Sequence, residues 1–260
     1  MEKILDFTSL NVIRTISPND RMFKDNRENH YFSVGASALR IIVFAMTAAN
    51  KCGFRSILDM PSGHGRVLRY IAARYPHSRI TACDIDKDAI DFCEKMFGVN
   101  GIYSKKNIAD VNINEKFDLI WCGSLLTHLE RNYWNQLLEF FSRHLDEDGI
   151  LIFTTHGRST VKRLYHRQQT YHLEELQIKD ILEQYRGKGF GYVNYKSRSE
   201  YGISISSPSW VISEIERHLH FRIMSFIEMG WDNHQDVAIC MRSSNGFSPF
   251  ISFNIHGEVI

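Results

Sequence analysis

Three groups of residues in this chain have types and spacing that could do chemistry. The first is Ile57-Leu58-Asp59-Met60-Pro61-Ser62-Gly63-His64-Gly65-Arg66, where a short apolar run ends in a carboxylate and then in a turn with little side-chain bulk. Gly63 and Gly65 let a ligand approach the backbone and allow φ values that other residues resist. The second is Asp84, which ends the next apolar run, Ile80-Thr81-Ala82-Cys83-Asp84. In a doubly wound sheet that position lies beside the first turn, where a carboxylate accepts hydrogen bonds from both hydroxyls of a ribose. Capping of the following helix is the alternative role for it. The third group is His128, His156 and His234, each close behind an apolar run or inside a loop that joins two of them.

These residues need elements that hold them along one edge. Apolar spacing at Leu39, Ile42, Val43 and Met46 predicts a helix over 34–50, and the run Ser56 to Met60 predicts a buried strand. Helices at about 65–74, 87–97 and 131–145 then alternate with strands at 79–84, 101–104, 117–123 and 149–155. That alternation implies an α/β fold with a mostly parallel sheet covered on both faces. After His156 the rhythm breaks until a helix near 208–219 and two strands, 221–228 and 236–242, spaced as a closing hairpin. A single domain over 1–260 is expected, divided into an N-terminal cap (1–33), a cofactor-binding core (34–156), an insertion on the substrate side (157–205), a closing helix and hairpin (206–243) and a tail (244–260).

With these elements in place, ILDMPSGHGR resembles the first motif of the class I methyltransferases, an acidic residue followed by x-Gly-x-Gly-x-Gly, with Pro61 where the first glycine stands. The resemblance covers about 34–156 and the closing strands. It implies a doubly wound, seven-stranded sheet in the order 3-2-1-4-5-7-6 with an insertion after strand 5, and S-adenosyl-L-methionine as cofactor. It also implies that Asp59, Gly63 and Gly65 surround the methionine part of the cofactor and that Asp84 holds the ribose, with Pro61, Arg66, Ile85 and Ile108 among the flanking positions. Asn107 stands where the family bonds the adenine amine, and Asp110 competes for that role. Asp118 is expected to be structural, while Gly123 and Ser124 face cofactor or substrate. Pro61 removes a backbone donor and alters the loop. The segments DMPSGHGR, IWCGSLLTH, TTHG and GWDNHQDV together resemble an uncharacterised bacterial subgroup associated with sugar or surface-polymer modification.

Methyl transfer is an in-line displacement, so the protein has to align a nucleophile and exclude water. No metal is required. A hydroxyl acceptor is helped by a base of near-neutral pKa, which histidine supplies. His156 is the first choice, ahead of His128 and His234; the alternative roles are local hydrogen bonds at strand ends. His64 is expected to bond locally and Arg66 to face outward at the start of a helix. Arg163 and Arg167, like Lys162 and His166 an i,i+4 pair on an expected helix, could bind a phosphate or carboxylate, or could form a solvated face. The stretch Tyr185 to Tyr195, which includes Tyr192, has the composition of a lid over the acceptor, or of a β-ribbon or dimer contact. Tyr31, in the cluster His30-Tyr31-Phe32, stands in a segment that could lie over the cofactor near the acceptor, with ordinary packing onto the sheet edge as the alternative.

Composition excludes some classes. With 31 basic and 30 acidic residues the net charge of +1 provides no field for nucleic acid or a membrane surface. Five scattered cysteines without a CxxC pair suit reduced thiols in the cytoplasm. No apolar stretch was expected to reach the roughly 18 residues of a spanning helix. A nicotinamide oxidoreductase wants Gly-x-Gly-x-x-Gly, but Leu68 holds the third position. The Asn/Asp-Pro-Pro-Tyr signature of amide-nitrogen methylation is replaced by Cys122-Gly123-Ser124-Leu125. The expected activity is methyl transfer to an oxygen of a small molecule, sugar or surface-glycan precursor. The alternatives are small-molecule N-methylation, a non-catalytic cofactor-binding module and, last, an oxidoreductase. A homodimer is possible.

Overall fold

The computed structural model describes residues 10–25, 27–196, 201–218 and 220–243. The expected tail, 244–260, lies outside the described residues. In chain order the elements are α1 (Glu28–Ala48), β1 (Ser56–Asp59), α2 (Leu68–Arg74), β2 (Arg79–Asp84), α3 (Lys87–Phe97), β3 (Asn100–Tyr103), β4 (Phe117–Cys122), α4 (Arg131–His144), β5 (Leu145–Thr155), α5 (Arg158–Tyr165), α6 (Glu175–Lys188), β6 (Phe190–Asn194), β7 (Gly202–Ser206), α7 (Pro208–Glu216), β8 (Phe221–Trp231) and β9 (Gln235–Arg242).

Seven strands form one sheet in the order β3-β2-β1-β4-β5-β9-β8. β1 to β5 run parallel, and β9 is antiparallel to both β5 and β8. The expected order differs only in its labels, because the small separate hairpin β6-β7 intervenes before the last two strands. The apolar runs are strands because both faces of the sheet are covered, so β1 and β4 are buried at every position. Alternate residues serve different layers. Ile57, Leu119, Trp121, Ile150 and Ile152 pack with Leu39 and Ile42 of α1 and Leu68 of α2, while Leu58, Ile120, Leu151 and Phe153 pack with Trp134, Leu138 and Phe141 of α4. α3 is delimited by local chemistry: the Asp86 side chain accepts from Ala89 N at its start, and Gly98 takes a left-handed φ of 63° at its end.

Two expectations change. α1 begins at Glu28 rather than 34, because Tyr31 and Phe32 bury on the face shared by Gly35, Ala38 and Ile42. With a mean hydropathy of 1.5 it is long and apolar enough to cross a membrane, contrary to the count made on the sequence, yet 67% of that window is buried in the protein, as befits a core helix. Within the insertion, α5, α6 and the β6-β7 hairpin enclose Leu164, Ile178, Ile181, Val193, Ile203 and Ile205. The glycine-rich aromatic stretch is therefore the end of α6, stopped by Gly189 at φ 72°, followed by strand β6 with Tyr192 in it.

Trp134 joins these parts. Its buried indole meets Phe153 of the main sheet, Phe190 of the hairpin and Trp210 of α7 edge to face, and its N–H donates to Leu126 O at 3.2 Å. Trp134→Ala should cost about 3–5 kcal/mol of unfolding free energy; urea denaturation followed by circular dichroism measures it, and a loss below about 1 kcal/mol would contradict this packing.

Candidate active site

The carboxyl ends of β1 and β2 carry the two carboxylates that the glycine turn spans. Asp59 is 1% exposed, and neither of its carboxylate oxygens has a hydrogen-bond partner among the described residues. Burial, reinforced by the neighbouring Asp84, holds its carboxyl well above the usual range. Asp84 is also buried; one oxygen accepts from Gly63 N at 2.8 Å and the other from Asp86 N at 2.9 Å. Burial raises its pKa and these amide donors oppose the rise. Gly63 has φ 49° and open space where a side chain would stand. Gly65, at φ 78°, would drive a Cβ to 2.4 Å from the Phe97 ring. Ile85 next to Asp84 is a 61% exposed aliphatic surface. Pro61 is half-buried at the entry to the turn, and the hydroxyl of Ser62 is buried without a partner.

Arg69 of α2 wires the turn to the N-terminal segment. Its buried guanidinium donates to Gly65 O (3.0 Å) and His64 O (3.5 Å) on one side, to Ile13 O (2.9 Å) and Thr15 O (3.1 Å) on the other, and to the Tyr31 hydroxyl (3.2 Å). Tyr31 in turn donates to Asp20 at 2.6 Å. A second tie runs from His64 to Asp88 (2.9 Å) and from Asn19 to the same carboxylate (3.0 Å). His64 thus bonds locally, as expected. Tyr31 is 2% exposed and its hydroxyl is committed to this hub, because it lies inside α1 rather than in an overlying segment. Arg66 does not face outward: it precedes α2, and its guanidinium lies 5.8 Å from the Trp231 ring centroid. Gly123 lies close by, where a Cβ would meet Trp121 at 2.8 Å and Trp231 at 3.1 Å.

Asn107 and Asp110 both line a cleft of about 650 Å³ with Lys105 and Tyr133, so the geometry does not choose between them. The Asn107 side-chain Oδ1 accepts from Ala109 N at 3.2 Å, and Ile108 is buried. Ser124 has φ 64° and is held by its N–H to Thr154 Oγ1 (2.8 Å) and by Gln235 Nε2 to its hydroxyl (3.0 Å).

Beyond β5 the three histidines, each from a different segment, come together. His156 is 4% exposed; its ring centroid is 6.2 Å from His128, 5.3 Å from His234 and 5.4 Å from Tyr171. Its Nδ1 is buried without a partner. Burial, then the proximity of His128 and His234, pushes its pKa well below the ordinary value. His234 is lowered to about 4 by burial and then by Arg163. Both rings are therefore neutral at pH 7. His128 Nδ1 donates to Gly202 O at 2.8 Å, and its ring stacks on Tyr201 at 4.8 Å. Tyr171 was not singled out from the sequence, yet its hydroxyl is 2.7 Å from His234 Nε2. No local signal marks it, because the pair is 63 positions apart. Asp236, on β9 beside Gly157, was missed too; burial lifts its carboxyl to about 6.

The expected substrate residues separate. Arg163 reaches Asn233 O, beside His234, at 3.5 Å. Arg167 is not brought to the histidines; it forks onto Glu175 at 2.9 and 2.5 Å. Tyr192 is fixed on β6, where its hydroxyl donates to Asn194 at 2.7 Å.

The sheet order and the glycine turn between two strand-end carboxylates define a Rossmann-like methyltransferase fold of class I. Residues 57–149 match the methyltransferase domain family. A malonyl-(acyl-carrier protein) O-methyltransferase of Acetivibrio thermocellus is 27% identical over 118 residues, 44% of this chain and 40% of that protein. The match thus spans about two-fifths of the relative's length. Among solved structures, a Pyrococcus horikoshii protein superposes with a TM-score of 0.60 at 15% identity, covering 85% of this chain and 95% of its own. The N-methyltransferase NodS of Bradyrhizobium japonicum, solved with S-adenosyl-L-homocysteine, gives 0.52 at 13% identity over 93% and 95%. The turn fits such a ligand: an unpaired buried carboxylate for a cationic amino acid portion, an open glycine backbone, and Asp84 with Ile85 for a nucleoside.

Asp59 binds a proton more tightly folded than unfolded, so its ionised form disfavours the folded state and the penalty disappears as pH falls. Asp59→Asn should therefore raise the melting temperature of the ligand-free chain at pH 7, with a difference that narrows as pH is lowered, while weakening S-adenosylhomocysteine binding. Scanning calorimetry across pH checks the first; a lower melting temperature at every pH would contradict it.

Proposed function

We propose that the chain transfers a methyl group from S-adenosyl-L-methionine to an oxygen of a small molecule, sugar or surface-glycan precursor. The observation that carries this reading is the buried Asp59 carboxylate, without a partner and beside Asp84, under a glycine turn open at Gly63. When bound, the cofactor supplies an electrophilic methyl group on a sulfonium. Asp59 attracts its positive charge, Asp84 accepts from its ribose hydroxyls, and the amides and open backbone of the turn seat it. The acceptor's place is the histidine cluster at the end of β5. There the buried Nδ1 of His156, without a partner among the described residues, takes the proton of an acceptor hydroxyl, although burial makes it a weaker base than the near-neutral histidine the sequence suggested, and the covering insertion keeps water out.

The cluster speaks for turnover over mere cofactor binding, since a binding module has no use for neutral rings assembled from three segments. An oxidoreductase is disfavoured by Leu68, fully buried where a third glycine would be needed. The relative's malonyl-(acyl-carrier protein) acceptor does not carry over by itself, because the match covers 44% of this chain and 40% of that protein. The five unpaired cysteines, four of them buried, agree with a cytoplasmic location.

S-adenosylhomocysteine at a hundred times its dissociation constant should stabilise the chain by roughly 2.7 kcal/mol, read as a thermal shift, and NAD should not. A response to NAD alone overturns the assignment. Asp84→Asn should remove most of the shift. His156→Ala should lower kcat roughly a hundredfold with S-adenosylhomocysteine affinity nearly unchanged; unaltered turnover would remove His156 from the mechanism.

A further inference from the structure

We propose that the acceptor carries an anionic group, a carboxylate or a phosphate, and that Arg163 holds it at the histidine cluster. This rests on the methyl-transfer reading and adds the class of acceptor to it. The arginines around α5 have different partners. Arg158 is paired with Glu228 and Arg167 with Glu175, so their charges are spent. Arg163 reaches only neutral atoms, Gln169 Oε1 at 3.2 Å and Asn233 O at 3.5 Å. Among the described residues no carboxylate forms an ion pair with it.

Its position gives that charge a use. Arg163 is half-buried, bonds the residue next to His234, and acts electrostatically on both His234 and His156. Through Asn233 it adjoins His234, whose Nε2 is 2.7 Å from the Tyr171 hydroxyl, and the buried His156 Nδ1 has no hydrogen-bond partner among the described residues. A guanidinium with no counter-ion beside neutral donors suits a bidentate oxyanion, which gains charge-assisted hydrogen bonds without displacing an existing ion pair. The loop that delivers Tyr171 is held in an unfavourable backbone, with φ 53° at Tyr171 and 64° at His172, so its placement is imposed by the surrounding packing. Lys162, exposed on the same helix, is the solvated member of the basic group.

The test is calorimetric titration of the chain saturated with S-adenosylhomocysteine, using malonate, inorganic phosphate and uncharged malonamide as probes. At least one anion should bind and malonamide should not. Arg163→Gln should weaken anion binding about tenfold or more, Arg163→Lys should retain part of it, and Arg167→Gln should change it less than about twofold. S-adenosylhomocysteine affinity and melting temperature should be unaltered in Arg163→Gln. Binding of malonate alone identifies a carboxylate, and binding of phosphate alone a phosphate. If S-adenosylhomocysteine itself does not bind, the methyltransferase reading fails. If it binds but neither anion does, if malonamide binds equally, or if Arg163→Gln binds anions like the parent chain, the anionic acceptor alone is overturned.

Discussion

Two carboxylates, Asp59 and Asp84, are buried at the ends of adjacent parallel strands, and among the described residues neither forms an ion pair. Burial disfavours the ionised form of both and holds both carboxyls above their ordinary range, with the charge of Asp84 adding to the rise at Asp59. Asp84 is relieved by amide donors from the turn and from its own helix start. Asp59 has no such relief. The arrangement opposes folding at neutral pH and makes sense at a site reserved for a positively charged ligand. The glycine turn must then be both open and fixed: open at Gly63, and fixed because Arg69 and the His64–Asp88–Asn19 tie lock it to residues 13–20. All five donor positions of the Arg69 guanidinium are used, so the buried charge is compensated by polar groups rather than by an anion.

Unsatisfied polar atoms concentrate where the site is. Asp59, Ser62, Thr155, His156, Ser206 and Asp236 all lie at or next to the carboxyl edge of the sheet and have buried atoms without partners. The two apolar layers flanking the strands carry the stability that this edge gives up. The insertion contributes to both sides of the account: Trp134 anchors its hairpin to the core, and its loop brings Tyr171 against His234. Because the insertion also buries His156, the acceptor end is shaped by the part of the chain that lies outside the matched domain region.

The sequence by itself determined the alternation of helices and strands, the parallel core and the glycine turn with its two acidic neighbours. These are local signals: apolar runs of strand length, helical spacing, and residues without side-chain bulk at a strand end. The residue-level legibility falls off where partners are distant. Arg163 and Arg167 look alike in the sequence, each at i,i+4 from a basic neighbour, and only the fold gives one a carboxylate and the other none. Arg66 was expected to face outward and Tyr31 to lie in a segment over the cofactor or against the sheet edge, but the approach of Trp231 and the earlier start of α1 draw them inward. The meeting of His128, His156, His234 and Tyr171 was likewise decided by tertiary structure. Strand order and the folding back of the insertion set those distances, and no pattern of period 2 or 3.6 encodes contacts between segments so far apart along the chain.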